Sequence, residues 1–323
     1  MKFCNQPWTT FTIQADGSVV PCLCGLWNTV GPIGNVIDQD FGQILLSKKL
    51  KDFKGSILDQ SFRQCTNICP QLPVLSDADT IDTYSEELFL PDHLLLSIDQ
   101  NCNLRCESCR SENIFSKKRN KNADIILEKI RTTFINHKVT LQCDGYGDVF
   151  ASESYKNFFT NIDSNFKLQI ITNGNLITKN QNLIERLSKQ IQSVDVSVDA
   201  ATPETYLKTR GGVFDKVMDG IALLVNQNVK VNLSFVVQEK NYKEVMPAYE
   251  LAVKSGCHSI NFHKIEKWPH MTESWWDQNK LDDNPNVDLQ DLKKNLDLLK
   301  VIPKQVLVGE SIPVYMTGNL YNI

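Results

Sequence analysis

Ten cysteines fall within the 323 residues of this chain. Three of them, Cys102, Cys106 and Cys109, stand in the stretch CNLRCESC with three and then two residues between neighbours. Thiolates are the ligands of iron–sulfur clusters, and a cubane takes four, so a set of three leaves one iron open to another molecule. A catalytic zinc also keeps a coordination position free. A zinc completed by a distant histidine or cysteine is therefore the competing reading of the loop, and spacing alone leaves both open.

Something must hold those thiols in place, and the sequence around them supplies it. The cysteine loop directly follows an apolar run, LLLSID (94–99). Five more runs succeed it: VTLQC (139–143), LQIIT (168–172), VDVSVD (194–199), VNLSFVV (231–237) and SINFHKI (259–265). Between them lie segments with apolar residues three and four apart, such as Ile126, Leu127, Ile130 and Phe134, or Leu183, Ile184, Leu187 and Ile191. Alternation of this kind predicts repeated βα units on a parallel sheet. Thr178 with Gln181 reads as a capping box, and Thr202 before Pro203 as an N-cap beside a first-turn proline. Six units are too few for a closed eight-unit barrel, which leaves an open partial barrel or a doubly wound sheet. In either, loops after the strands are where sites are built.

The earliest residues differ. FTIQADGSVVPCLCG alternates around Asp16-Gly17, a strong hairpin dipeptide, in a segment that holds Cys4, Cys22, Cys24, Cys65 and Cys69. The division expected is a small cysteine-bearing β unit over 1–75, a polar linker over 76–90, the repeated βα region over 91–268 and a C-terminal extension over 269–323.

CNLRCESC resembles the cluster motif of radical S-adenosylmethionine enzymes, in spacing and in its Asn-Leu-Arg filler. The resemblance implies an α/β fold built as a partial (β/α)6 TIM-like barrel. It implies a [4Fe–4S] cluster on Cys102, Cys106 and Cys109 whose free iron chelates S-adenosylmethionine, and reductive cleavage to a 5′-deoxyadenosyl radical that takes a hydrogen atom from substrate. GYGD (145–148) resembles the family element that receives the cofactor's ammonium group, through Gly145, Gly147 and Asp148. Val149 departs from the proline common there. Asn173 in TNGN, Ser197 in SVD and Arg210 in ETYLKTRGG match positions around the cofactor's ribose and carboxylate. Ser108 departs from a frequent aromatic.

The early cysteines resemble the twitch module, a shortened SPASM domain that binds an auxiliary cluster. In most relatives it follows the barrel; here it precedes it. The resemblance implies an auxiliary [4Fe–4S] cluster on Cys4, Cys22, Cys65 and Cys69, with Cys24 spare or taking the place of Cys22. A hairpin would bring Cys4 and Cys22 together while a later loop supplies the other two. Zinc on the same four sulfurs is the rival.

Single residues carry weaker signals. Cys143 ends the second strand and is either a hydrogen-atom donor to a substrate radical or a small buried hydrophobe, the commoner role. Cys257 reads as packing. His263 and Glu266 reach a substrate cavity or cap local structure, and Trp268, Trp275 and Trp276 either cover the open side or pack the tail.

Charged residues make up 22% of the chain and the formal charge is −4, with no sign of a nucleic-acid footprint. With no apolar run long enough for a bilayer and no export signal at MKFCNQPWTT, a cytoplasmic protein is expected, whose reducing surroundings keep thiols free for metal. The partners expected are a peptide or small-molecule substrate and a low-potential donor such as flavodoxin or ferredoxin. Peptide crosslinking, thioether formation or epimerisation comes first. Dehydrogenation or rearrangement of a sugar-like substrate is the enzyme alternative, and an iron–sulfur electron carrier or zinc scaffold the non-catalytic one.

Overall fold

The computed structural model describes residues 3–22, 28–67, 69, 71–72, 75, 89–112, 114–143, 147–268, 270–301 and 306–311. The chain divides into two compact units, one of Met1–Gln100 with Ser116–Gln169 and the other of Asn101–Phe115 with Ile170–Tyr321.

In the first unit, β1 (Thr10–Gln14) and β2 (Ser18–Pro21) form the expected antiparallel hairpin, and β3 (Gly34–Asn35) continues it. Gly17 turns the hairpin at φ +84°, and a Cβ there would collide with the side chains of Asn35 and Ile37. Only glycine meets both demands. β1 pairs parallel with β4 (His93–Ser97), placing Phe11 beside Leu94 and Ile13 beside Leu96, and β4 pairs parallel with β5 (Val139–Cys143). The cysteine-bearing hairpin is thus sewn to the first strand of the βα series. Helix Lys48–Leu58 packs Leu50, Phe53 and Ile57 inward, with Ser47 accepting from the Leu50 N–H as its cap.

β6 is Phe166–Thr172. The second unit continues with parallel strands β7 (Ile191–Ser197), β8 (Val231–Val237), β9 (Ser259–Lys264) and β10 (Leu307–Ser311), in that order. Helices Pro203–Thr209, Phe214–Asn226, Val245–Lys254 and Leu289–Val301 fall between them. All six expected strands are present, within a few residues of the runs that announced them.

Thr202 accepts from the Thr205 N–H with Pro203 in the first turn, as expected. Thr178 is a correction: it lies inside a 3₁₀ turn, Thr178–Asn180, and the α-helix begins at Gln181. No helix among the described residues is long and apolar enough to cross a membrane.

Along β7, β8 and β9 one face is closed and the other half-accessible. Val194, Val196, Leu233, Phe235, Ile260 and Phe262 are buried, while Asp195, Ser197, Asn232, Ser234, Asn261 and His263 are half-buried. A Cβ on Gly174 would meet both Val196 and Val217, so the closed face looks toward helix Phe214–Asn226. The polar residues take the opposite face, as period-two alternation requires.

Candidate active site

The three-cysteine loop is held by its own backbone. The Cys102 N–H donates to the Ile114 carbonyl at 2.8 Å, and the Cys109 and Arg110 N–H groups both reach the Cys106 carbonyl. Cys102 and Cys106 are buried while Cys109 is exposed, and none of the three is in a disulfide. Two donors point at the Cys102 sulfur: the Leu104 N–H at 3.4 Å and the Asn173 amide at 3.6 Å, the latter also donating to Asn103 Oδ1 at 3.0 Å. Burial pushes the Cys106 thiol up, and Arg210 partly offsets it. A bare thiolate is costly there, and a bound metal's positive charge removes that cost. The donor set therefore suits a thiolate-bound cluster.

Arg210 sits beside this loop. Its backbone carbonyl accepts from the Cys106 thiol at 3.5 Å, and its guanidinium donates to Asp199 at 2.7 Å. Asp199 adopts φ +53° and also takes the Val236 N–H at 2.7 Å. Burial opposes the charge on Arg210, yet Cys106, Asp199 and Tyr206 together hold its pKa well above the ordinary value. Its Nε is buried with no partner among the described residues. An orphaned guanidinium N–H is costly, so it waits for an acceptor such as a carboxylate.

Asn173 is fixed in turn. Its Oδ1 accepts from the Asn175 N–H at 3.0 Å, and Asn175 donates to the Tyr206 hydroxyl at 2.7 Å. Burial drives that hydroxyl up to about 12, so it stays protonated. Ser197 ends β7 on its half-accessible face, two residues before the buried Asp199. In the row below, Ser259 donates to Asn232, which donates to Asp195, each at 2.8 Å. His263 stands near Asp195 and Asp199, but burial outweighs both and lowers its pKa.

In the first unit, Asp148 is buried and accepts from the Phe150 N–H at 3.0 Å. Gly147 is half-buried nearby, and Gly145 falls outside the described residues. Cys143 shares its face with Leu141 and Val139 and is fully buried, its sulfur 4.0 Å from the Leu141 carbonyl. Gln142, not Cys143, takes the half-accessible side of β5. That placement puts Cys143 among the packed residues of β5. Cys257 is buried too, its thiol pushed up to about 12 by burial.

Sequence reading passed over Asp99 and Glu107. Asp99 is buried at the end of β4 and accepts from Ser152 at 2.6 Å. Glu107, within the cysteine loop, accepts from Lys240 at 2.7 Å and from the Trp275 indole at 3.3 Å. An acid three residues ahead of Cys102 was the available signal for the first; nothing local announces the second. Trp268 is exposed.

The four early cysteines gather independently. Cys4, Cys22, Cys65 and Cys69 line one small cavity with Pro7, Phe53 and Ile57. Cys22 ends the hairpin at φ +72°, and an isolated bridge from Asn28 to Cys65 brings the later loop alongside. Burial raises both Cys4 and Cys65; a backbone hydrogen bond from Gln6 partly offsets it at Cys4, where Cys69 adds to the rise, and Cys4 and Cys69 help carry Cys65 to about 11. Thiols that raise one another while buried are the donor set a cluster neutralises. Cys24 and most of the 76–90 linker lie outside the described residues. Among the described residues no three His, Cys, Asp or Glu side chains close up as a single metal ion requires.

Two family models match the chain. One, the radical SAM superfamily, covers residues 96–252; the other, SPASM, an iron–sulfur cluster-binding domain, covers residues 4–70. Residues 96–252 are thus a radical SAM region. The chain carries its SPASM-type domain ahead of that region, and the cofactors of these two domains are S-adenosylmethionine and [4Fe–4S] clusters.

Among curated relatives, the antilisterial bacteriocin subtilosin biosynthesis protein AlbA of Bacillus subtilis is 24% identical over 192 residues, 56% of this chain and 41% of that protein. An AdoMet-dependent heme synthase of Methanosarcina barkeri is 25% identical, covering 52% and 48%. A GTP 3′,8-cyclase of Alkaliphilus oremlandii is 26% identical, covering 64% of each. The match thus spans between 41% and 64% of these relatives' own lengths. Among solved structures, Streptococcus suis SuiB bound to the precursor peptide SuiA aligns with a TM-score of 0.52 over 96% of this chain and 72% of that one, at 13% identity. That likeness shows the fold.

Proposed function

We propose that this chain uses S-adenosylmethionine to take a hydrogen atom from a peptide substrate. The observation that carries the reading is the self-closed cysteine loop, with N–H donors aimed at Cys102 and the orphaned Arg210 Nε beside Cys106. Cys102, Cys106 and Cys109 would hold the catalytic cluster, and Arg210 would meet the cofactor's carboxylate. Bound together, cluster and cofactor supply a 5′-deoxyadenosyl radical. The chain's own residues orient and shield: Asn173 fixes the loop through Asn103, and Asp199 holds the Arg210 guanidinium.

A peptide is favoured over a nucleotide by the half-accessible face of β7, β8 and β9. It presents hydroxyls and carboxamides from Ser197, Ser234, Asn232 and Asn261, together with Asp195, and no lysine or arginine among its described residues. Amides of a peptide match such a surface. A triphosphate would meet an acid where it needs cations. AlbA, a bacteriocin biosynthesis protein, and SuiB, solved with its precursor peptide, support the same direction.

The test is anaerobic. Reconstituted protein given S-adenosylmethionine and a strong reductant should release 5′-deoxyadenosine, and a short peptide encoded beside its gene should gain or lose mass. Protein that holds zinc and releases no nucleoside overturns the reading. Turnover of GTP in place of the peptide overturns its substrate half.

A further inference from the structure

We propose that Lys54 is the charge partner of the auxiliary cluster, placing its ammonium group against the negative four-thiolate site so as to favour the reduced cluster. This rests on Cys4, Cys22, Cys65 and Cys69 being that cluster's ligands.

The helical pattern first marks the residue. On Lys48–Leu58 the buried stripe runs through Leu50, Phe53 and Ile57, and Lys54 takes the remaining position of that stripe, four residues after Leu50 and three before Ile57. An apolar residue is the ordinary occupant there. Phe53 and Ile57 line the cavity of the four cysteines. The Lys54 ammonium lies 5.4 Å from the centre of the Trp8 ring, and Trp8 shares a core with Cys22, Phe53 and Ile57, onto which Cys4 and Cys65 pack.

Among the described residues the Lys54 ammonium has no carboxylate and no hydrogen-bond acceptor; the indole face is its contact. Burial alone pulls its pKa down to about 8. A ring face compensates a desolvated cation only in part. A lysine kept on an apolar stripe without a counter-charge calls for one, and the adjoining cavity supplies it once loaded, because four thiolates outweigh the positive charge of a cubane core. Coupling is reciprocal: a site that stabilises the cation is itself stabilised by it, more so after it gains an electron.

The experiment uses the full chain with Cys102, Cys106 and Cys109 all replaced by alanine, so that only the auxiliary cluster is read. Its midpoint potential is measured by redox titration with Lys54 intact, in Lys54→Met and in Lys54→Arg. Methionine keeps the stem over Trp8 and should shift the potential to more negative values, while arginine keeps the charge and should leave it near the parent. An unshifted Lys54→Met sinks the inference while leaving the ligand assignment standing. A parent that binds no iron–sulfur chromophore removes the ligand assignment and this inference with it. Without cluster, Lys54→Met should melt above its parent; melting below it would mean that the lysine's charge is satisfied by the protein alone.

Discussion

The two cysteine sites solve opposite problems. Around Cys102 and Cys106 the surroundings are polar and directional: amide donors to sulfur, the Arg210–Asp199 pair, and Cys109 left exposed. Around Cys4, Cys22, Cys65 and Cys69 they are apolar, built from Trp8, Phe53 and Ile57. A cluster that must accept an outside ligand needs an open side and groups that orient that ligand. One that only exchanges electrons is better closed. Under the proposed assignment, three thiols with an orphaned arginine, against four thiols in an apolar cavity, would express that difference in residue types.

Removing thiols gives the largest effect. Cys106→Ala should abolish 5′-deoxyadenosine formation while lowering iron from about eight to about four per chain, and Cys65→Ala should remove the other half. Iron analysis alongside nucleoside chromatography checks both. Unchanged iron in Cys65→Ala would break the comparison at its closed end.

Next comes Arg210→Met. Asp199 is 1% exposed, so losing its cation leaves a buried charge unpaired, and truncating one partner of such a pair costs about 3–5 kcal/mol. Chemical denaturation of cluster-free protein measures it. A loss below about 1 kcal/mol would mean that Asp199 is held by the Val236 N–H instead, and would weaken Arg210 as the group that orients the cofactor.

How much of this contrast the sequence carried follows from the range of each signal. Spacing within CNLRCESC and alternation in VNLSFVV are local, and both survive into the structure. Asp16-Gly17 likewise specified its turn. The parallel pairing of β1 with β4 joins residues some eighty positions apart, and no local pattern encodes a parallel partner. β10 escaped for a related reason: Leu307–Ser311 is short, contains Gly309, and gains its identity from lying along β9. Thr178 misled because a hydroxyl three residues before glutamine fits a 3₁₀ turn as readily as a cap. At the sites, cysteines were legible from type and spacing. Lys54 and Glu107 were not, since a lysine on an apolar stripe and an acid in a loop acquire meaning only from what packs beside them.

A smaller effect separates the sites by pH. In cluster-free protein the Cys65 thiol is raised from 9.0 to about 11, by burial first and then by Cys4 and Cys69. A raised folded value means that the native state holds the proton more tightly, so this contribution is complete below pH 9.0, fades through the window up to about 11 and is gone above it. Thermal melts across that window should fall, and loading the cluster should flatten the fall because its ligands are already deprotonated. An equal fall in loaded protein would mean that these thiols are not the ligands.

The smallest effect tests the polar end. Glu107 is lowered from 4.5, first by its hydrogen bond from Lys240, and its side chain is 55% exposed, so solvent screens the pair to less than about 1 kcal/mol. A lowered folded value gives stability that is present above pH 4.5 and lost as pH falls through the folded value, the reverse of the Cys65 case. Glu107→Gln should therefore cost a little stability at neutral pH and nothing in strong acid. Because Glu107 ties the cysteine loop to Lys240 and Trp275, the same variant should alter Trp275 fluorescence more than it alters melting. A melting change with no fluorescence change would show that the bond from the indole contributes nothing to holding the loop, leaving its geometry to the backbone contacts of Cys102 and Cys106 alone.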